Sequence, residues 1–345
     1  MLKNKIIKPK SLNEGIEILR FLLCLWVVSL HCSGFKHEHK KYLDKCFHVP
    51  TFFLLSFYFY YKTASKRTIT KIISRFQRLL YPYIIWSIIV FIINNYLVKN
   101  TLVGKYKQKL SPKDLYIQIL TGSRYYQVFW FQFNLIFLSI FITIKSFIFK
   151  KYFLQSCQLL GVIFLYLYLS KTNRNYYLNY SITIQTSLGR LTELVPLAII
   201  GCHFSSINLL SKLKNLTWIH RFILLIIILF LFEYNIFITY PGFGYHEVLL
   251  HTTISTMFLI FFGSLELDTI TIIKAIIKHA TKYTGGIYYI HLIYSRYIKY
   301  FVKTEKNYFL SFKIYFICYI ICFIGSNLFR NNNLKYIIFF YFTLL

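Results

Sequence analysis

The sequence predicts an all-α protein, a polytopic bundle of membrane-spanning helices with about ten spans. Three observations predict it. Hydrophobic residues make up 57% of the 345 residues and charged residues only 15%, whereas a soluble domain usually has about a quarter charged. Mean hydropathy is +0.52. Apolar runs near the length needed to cross a ~30 Å hydrocarbon core recur from one end of the chain to the other. Aromatics reach 21%, with 36 Phe and 31 Tyr, so a disordered chain is excluded as well. No water-soluble block of domain size remains between the runs, and residues 1–345 read as one integral membrane domain.

Ten spans follow in order: 16–35, 48–61, 79–98, 129–149, 152–170, 188–204, 221–239, 247–264, 284–301 and 309–328. The second is short and has Pro50 near its start. Residues 336–345 form an apolar tail too short to cross. The basic N-terminus, MLKNKIIKPK, precedes a first run with no small-residue cleavage site after it, so this run is read as a retained span. An even number of spans places both termini on one side. That side carries the larger share of Lys and Arg, which makes it cytoplasmic by the positive-inside rule. Segment 62–78, with six basic residues and no acid, argues this most clearly. The longest loop, about 99–128, is polar enough to form a lid or a partly helical segment outside the membrane.

The formal net charge is +29. In a soluble protein this would suggest nucleic acid. Here the cations sit in short loops between apolar runs, so anionic lipid headgroups are the nearer partner and no nucleic acid is expected. The seven Cys fall mostly inside apolar runs and show no disulfide spacing.

Ionisable groups inside hydrocarbon are costly and are therefore functional candidates: Arg20, His31, Arg190, Glu193, His203, Glu233, His251, His291, Arg296 and Lys313. Arg20 and His31 are eleven residues apart, three turns plus about 20°, so they share a helix face about 16 Å apart along the axis. An anion-binding guanidinium and a titratable base on one face suit catalysis; interfacial snorkelling explains them too. Arg75 and Arg78 are three apart and share a face. Two guanidinium forks suit a phosphate, and charge anchoring at the membrane surface is the plainer alternative. Arg190 and Glu193 could form an intrahelical ion pair, or Glu193 could orient an imidazole. His246, Glu247 and His251 miss the zinc spacing HExxH, because His residues five apart on a helix diverge by about 140°. No metal site is expected, and no P-loop, GxGxxG or G-x-S-x-G occurs.

Six segments in order resemble the membrane-bound acyltransferase type 3 family over about residues 13–328. IEILRFLLCLWVVSLH is similar to its first helix, with Glu17, Arg20 and His31 in the matching positions. HVPTFFLLSFYF resembles V-P-x-F-F-x-L-S-G-F, with Phe57 in place of the usual Gly. RFQRLLYPYIIW resembles R-x-x-R-L-x-x-P-Y-x-x-W through Arg75, Arg78, Pro82, Tyr83 and Trp86. Trp130-Phe131 matches a Trp-Phe pair. Arg190, Glu193, Pro196 and Gly201 match R-x-x-E…P…G, and GGIYYIH is similar to a late G-I-Y-L-x-H element carrying Tyr288 and His291.

The resemblance implies transfer of an acyl group, usually acetyl, from acyl-CoA to a hydroxyl of a cell-surface glycan or lipid-linked sugar. No bound cofactor is implied; acyl-CoA is the donor substrate. His31 would be the general base, with Arg20, Glu193 and His291 as further catalytic candidates. Arg75 and Arg78 would hold the CoA phosphates, and Glu17, Trp130, Tyr288 and Arg190 would support the site. A glycan exporter or flippase is the alternative of a different class. A polytopic glycan polymerase fits less well, since loop 99–128 holds a single Arg.

Overall fold

The structure is a computed structural model that describes residues 13–31, 48–97, 110–122, 129–170, 191–238, 244–265, 275, 279–284, 286–291 and 309–328. For some residues inside these ranges, among them His31 and Glu193, only the backbone is described. The described residues are helical or in short connections, with no strand among them. The helices are α1 (Glu14–His31), α2 (His48–Ser65), α3 (Ile69–Ile92), α4 (Pro112–Thr121), α5 (Phe129–Ile148), α6 (Phe153–Ser170), α7 (Leu191–Ser206), α8 (Leu209–Leu213), α9 (Trp218–Ile238), α10 (Gly244–Ser264) and α11 (Phe309–Leu328). Residues 286–291 are helical as well. Among the described residues, two stretches are long and apolar enough to cross a membrane, Ile69–Asn95 and Phe129–Ile148, each with a mean hydropathy of 1.7.

Two boundaries correct the sequence reading. α2 runs on to Ser65, so it has 18 residues and at 1.5 Å each nearly matches the hydrocarbon thickness. Pro50 falls in its first turn, where a missing N–H costs nothing. α3 starts at Ile69, ten residues before the expected span. Lys71, Arg75 and Arg78 lower the local hydropathy but are good helix formers, so the charged stretch is helical. The turn between α2 and α3 shrinks to three residues around Arg67, which takes a left-handed φ of 49°. Pro82 lies inside α3 and removes the bond that would close on the Arg78 carbonyl. Helix α3 ends in a π-turn, Ile93–Leu97.

α2 and α7 form the central crossing. In lipid, helices associate where small residues let backbones approach. α7 offers Ala198, Gly201, Cys202 and Ser205, a stripe at i, i+3, i+4, i+7 that is buried throughout. Gly201 lies directly over α2: a Cβ there would overlap the Leu54 carbonyl oxygen and stand 3.0 Å from the Tyr58 nitrogen. Phe57, where the second motif has Gly, is 0% exposed and packs its ring beside Phe53 and Tyr60. A second close crossing joins α1 to α10. A Cβ on Gly15 would overlap the Phe262 carbonyl oxygen, and Asn13 Nδ2 donates to the Gly263 carbonyl at 2.7 Å.

Contacts between helix ends sort the bundle by polarity. Arg67 Nε donates to the Ser146 carbonyl (3.0 Å) and Lys145 Nζ to that of Ser156 (2.9 Å). Tyr61 stacks on Phe153, and the Leu210 N–H reaches the Tyr58 hydroxyl. One end therefore gathers the starts of α1, α3 and α6 and the ends of α2, α5, α7 and α10. Lys62, Lys66, Lys71, Lys150, Lys151, Lys212 and Lys214 are exposed there. The opposite end holds the last residue of α1, the starts of α2, α5 and α7, and α4.

α4 lies within the long loop and is built by local sequence. Ser111 and Asp114 form a reciprocal capping box, and Gly122 closes the helix at φ 69°. It is tied down by Tyr83, whose hydroxyl shares its one proton between the Gln118 and Ile119 carbonyls (2.8 and 2.7 Å). Asn95 pairs with both backbone groups of Leu110, at 3.0 and 2.8 Å. The partly helical loop expected from its polarity is present at 112–121; residues 99–109 and 123–128 lie outside the described ones.

Candidate functional site

α3 is the spine of the site, carrying cations near the basic end and aromatics one to two turns beyond. Arg75 Nε donates to Ser139 Oγ of α5 at 3.2 Å. Its Cζ lies 4.2 Å from the centroid of Tyr60 and 5.7 Å from that of Phe57. Its Nη2 is buried and has no hydrogen-bond partner among the described residues. Arg78, three residues on and half-buried, donates Nε to the Ser74 carbonyl at 3.3 Å. The motif pair therefore divides. Arg75 is built into the α2–α3–α5 junction, while the one hydrogen bond described for Arg78 stays within its own helix.

Arg20 is a separate cation. It is half-exposed and pairs with Glu17, one turn earlier on α1, through Nη1 and Oε1 at 3.2 Å. Glu17 is 7% exposed, so the pair relieves a buried carboxylate. Glu17 thereby balances Arg20. No described contact joins Arg20 to Arg75 or Arg78.

Beyond Arg78, α3 meets an aromatic layer. Trp86 stacks on Tyr289, with centroids 5.9 Å apart and planes within 5°. Phe129 bridges Tyr83 and Tyr289 at 5.7 Å from each. Phe131 contacts Phe53 (5.0 Å) on α2 and Tyr288 (5.5 Å), and Trp130 lies edge-on to Phe131. Residues from the second, third, fourth and sixth motif segments thus meet in one layer. The first joins through α1. Cys24 and Val28 pack with Tyr283, Ile287 and Ile290, and Cys24 Sγ donates to the Thr284 carbonyl at 3.7 Å.

His291 lies in this layer, 0% exposed, its ring centroid 6.0 Å from that of Tyr288. Its Nδ1 stands 3.0 Å from the Ile287 carbonyl. A carbonyl only accepts, so Nδ1 carries a proton, and in the neutral form of the ring the lone pair is on Nε2. That is the tautomer a base acting through Nε2 requires. His31 is the last residue of α1 and Glu193 lies in the first turn of α7, both at the end away from the exposed lysines; their side chains lie outside the described residues. Arg190 lies outside the described residues altogether, as does Arg296.

Other ionisable candidates are placed elsewhere. His203 faces Gln158 across the α6–α7 contact at 3.2 Å. Glu233 and Lys313 are exposed on outer helices. Among the described residues no group of three or more His, Cys, Asp or Glu could hold a metal ion. The sequence reading missed Tyr60 and Ser139, which contact the Arg75 side chain, and Thr143, which bonds to the Tyr60 hydroxyl. Nothing local signals them: Tyr60 sits in the run FYFYY, and only the α2–α5 packing singles it out.

No curated protein and no solved structure matches the chain. A family model does, described as an acyltransferase domain and spanning residues 13–329. These bounds enclose every motif segment of the aromatic layer, both arginines of α3 and the whole of α1. The chain belongs to the acyltransferase type 3 family, a family of membrane-associated acyltransferases.

Proposed function

We propose that this protein is a multi-pass enzyme of the cell membrane, one domain with ten spans. It moves an acyl group, acetyl in the simplest case, from acyl-CoA to a hydroxyl of a cell-surface glycan or lipid-linked sugar. The basic end of the bundle faces the cytoplasm, in keeping with the positive-inside rule, and both termini lie there.

The observation that carries this reading is the convergence of four motif segments of the family on one aromatic layer around His291, with a fifth packed beside it and two arginines beneath it on α3. Arg78 to Trp86 is eight residues, about 12 Å of helix rise. One helix therefore links a place for the donor's phosphates to a place for the reacting carbonyl. Arg78, at the basic end, offers a guanidinium fork to CoA phosphates arriving from the cytoplasm. Arg75 supports it from the helix junction.

In the reaction the acceptor hydroxyl attacks the thioester carbonyl carbon while an imidazole takes its proton. The tetrahedral intermediate collapses, the C–S bond breaks, and CoA leaves as a thiolate that receives a proton. His31 is the general base in this reading. An unperturbed pKa of about 6.5 lets it accept and return a proton near neutral pH. His291, with its lone pair on Nε2, binds or orients the acceptor and is the second candidate base. Arg20, charge-balanced by Glu17, lies on the His31 face of α1, nearer the cytoplasm. Glu193, at the start of α7, orients an imidazole. Trp130 and Tyr288 wall the acceptor side.

The test is a comparison of His31→Ala, His291→Ala and Arg78→Ala in purified protein, following CoA release. His31→Ala is expected to remove transfer from a folded protein while CoA still binds. Arg78→Ala is expected to raise KM for acyl-CoA with kcat little changed. Full activity in His31→Ala would overturn the base assignment, and an unchanged donor KM in Arg78→Ala would overturn the phosphate role.

A further inference from the structure

Arg75 is a cation embedded in the bundle with no acidic partner among the described residues. Burying a guanidinium that way is costly unless something else matches its charge. What surrounds it constrains it in two distinct ways. The Tyr60 ring lies under the guanidinium carbon at 4.2 Å. A cation resting on a ring face is attracted by the ring quadrupole, which holds the guanidinium carbon over the ring. Ser139 Oγ then accepts from Nε and fixes the rotation of the guanidinium over the ring. The ring is itself held. Thr143 Oγ1 donates to the Ser139 carbonyl at 2.7 Å, so the Tyr60 hydroxyl is the donor in its hydrogen bond with Thr143 Oγ1. Ser139 and Thr143 are one turn apart on α5, and both serve the same guanidinium. Nη2 is left buried with no partner among the described residues.

We propose that Tyr60, anchored by Thr143 and aided by Ser139, is a positioning residue that orients Arg75 so that Nη2 meets a phosphate of the acyl-CoA donor. This rests on the reading of Arg75 and Arg78 as the phosphate site and adds residues that no motif contains. The chemistry is consistent. The ring takes up one side of the guanidinium and the unpartnered Nη2 is not engaged by Ser139, so the two interactions do not compete. A phosphate at Nη2 would supply the negative charge that the protein does not. Arg78, on the same helix face, completes a two-pronged clamp.

The experiment is a binding titration of CoA to the purified full-length protein in detergent. It compares wild type with Tyr60→Phe, Tyr60→Leu, Arg75→Gln and the double variant Tyr60→Leu/Arg75→Gln. Tyr60→Leu is expected to weaken CoA binding by about five- to thirtyfold, the range for losing a desolvated cation–π contact. Tyr60→Phe keeps the ring and should stay within about threefold of wild type. In the Arg75→Gln background, Tyr60→Leu should cause no further loss, because the residue acts only through that guanidinium. A purely structural Tyr60 would lower affinity by the same factor in both backgrounds, and that result overturns the proposal. So does an unchanged affinity in Tyr60→Leu. Ser139→Ala is a milder second probe that keeps the ring. It should weaken CoA binding in the wild-type background and not in Arg75→Gln, and equal losses in both count against the proposal. If wild type binds no CoA, the phosphate site itself falls and the Tyr60 role with it, a result distinct from binding without coupling.

Discussion

Gly201→Ala tests the central crossing of the bundle. The added methyl would overlap the Leu54 carbonyl oxygen and lie 3.0 Å from the Tyr58 nitrogen and 3.2 Å from the Leu54 carbonyl carbon. All three are backbone atoms of α2, so no side chain can rotate out of the way. α2 and α7 must separate, and the small-residue stripe of α7 loses its contacts. Overpacking of this kind costs about 1–3 kcal/mol. Gly161→Ala is the internal control. Its methyl would meet the Ile199 side chain at 3.3–3.4 Å, which can adjust by a few tenths of an ångström, so its cost should stay below about 1 kcal/mol. Cys24, Cys157, Cys202, Cys318 and Cys322 are buried thiols outside any disulfide, so a rise in labelling by a thiol-reactive fluorophore above the native baseline reports unfolding. The expected result is a fall in Tm of several degrees for Gly201→Ala and a small one for Gly161→Ala. Equal shifts, or the reverse order, would refute the argument that backbone contact at Gly201 sets the crossing.

Three further perturbations have expected outcomes. Tyr83→Phe removes the shared hydrogen bond to the end of α4 and should loosen that helix by about 1–2 kcal/mol. Hydrogen exchange should then quicken across 112–122 and stay unchanged in α5. Asn95→Ala breaks the two-bond clamp on Leu110 at a cost of about 1–3 kcal/mol, while Asn95→Asp, which keeps the acceptor, should lose about half as much in the same thiol assay. Arg78→Ala should weaken CoA binding by about ten- to a hundredfold, the range for a charge-assisted hydrogen bond, with Tm within a degree or so of wild type.

Helix identity was legible because long apolar runs leave few alternatives. Each of the ten expected spans overlaps a helix, although in the ninth only 286–291 is described within the span beyond Thr284. The start of α3 was not legible. Hydropathy marks where hydrocarbon is cheap to enter, whereas helix extent obeys backbone bonding, and Lys71, Arg75 and Arg78 satisfy the second while failing the first. The residues of the aromatic layer stood in the sequence as types, but their arrangement did not. Trp86, Tyr288 and His291 stood in motifs, yet their convergence depends on which helices pack together. The pairing of Glu17 with Arg20 is an i, i+3 contact on one helix, an ion-pair spacing that the sequence reading applied to Arg190 and Glu193 only. The Arg75–Tyr60–Ser139 assembly draws on three helices, and no local pattern encodes it. Phe57 illustrates the same limit: its departure from Gly at one position says nothing about the close approach that Gly201 makes from across the interface.

The most direct test of acyl transfer is acceptor-dependent CoA release. Purified protein in detergent would receive a panel of acyl-CoA donors, with and without total membrane glycolipid, and free thiol would be followed over time. The account predicts release with at least one short-chain donor that requires the glycolipid and disappears in His31→Ala. No release with any donor, from protein whose thermal unfolding shows it to be intact, would contradict it and favour a glycan exporter.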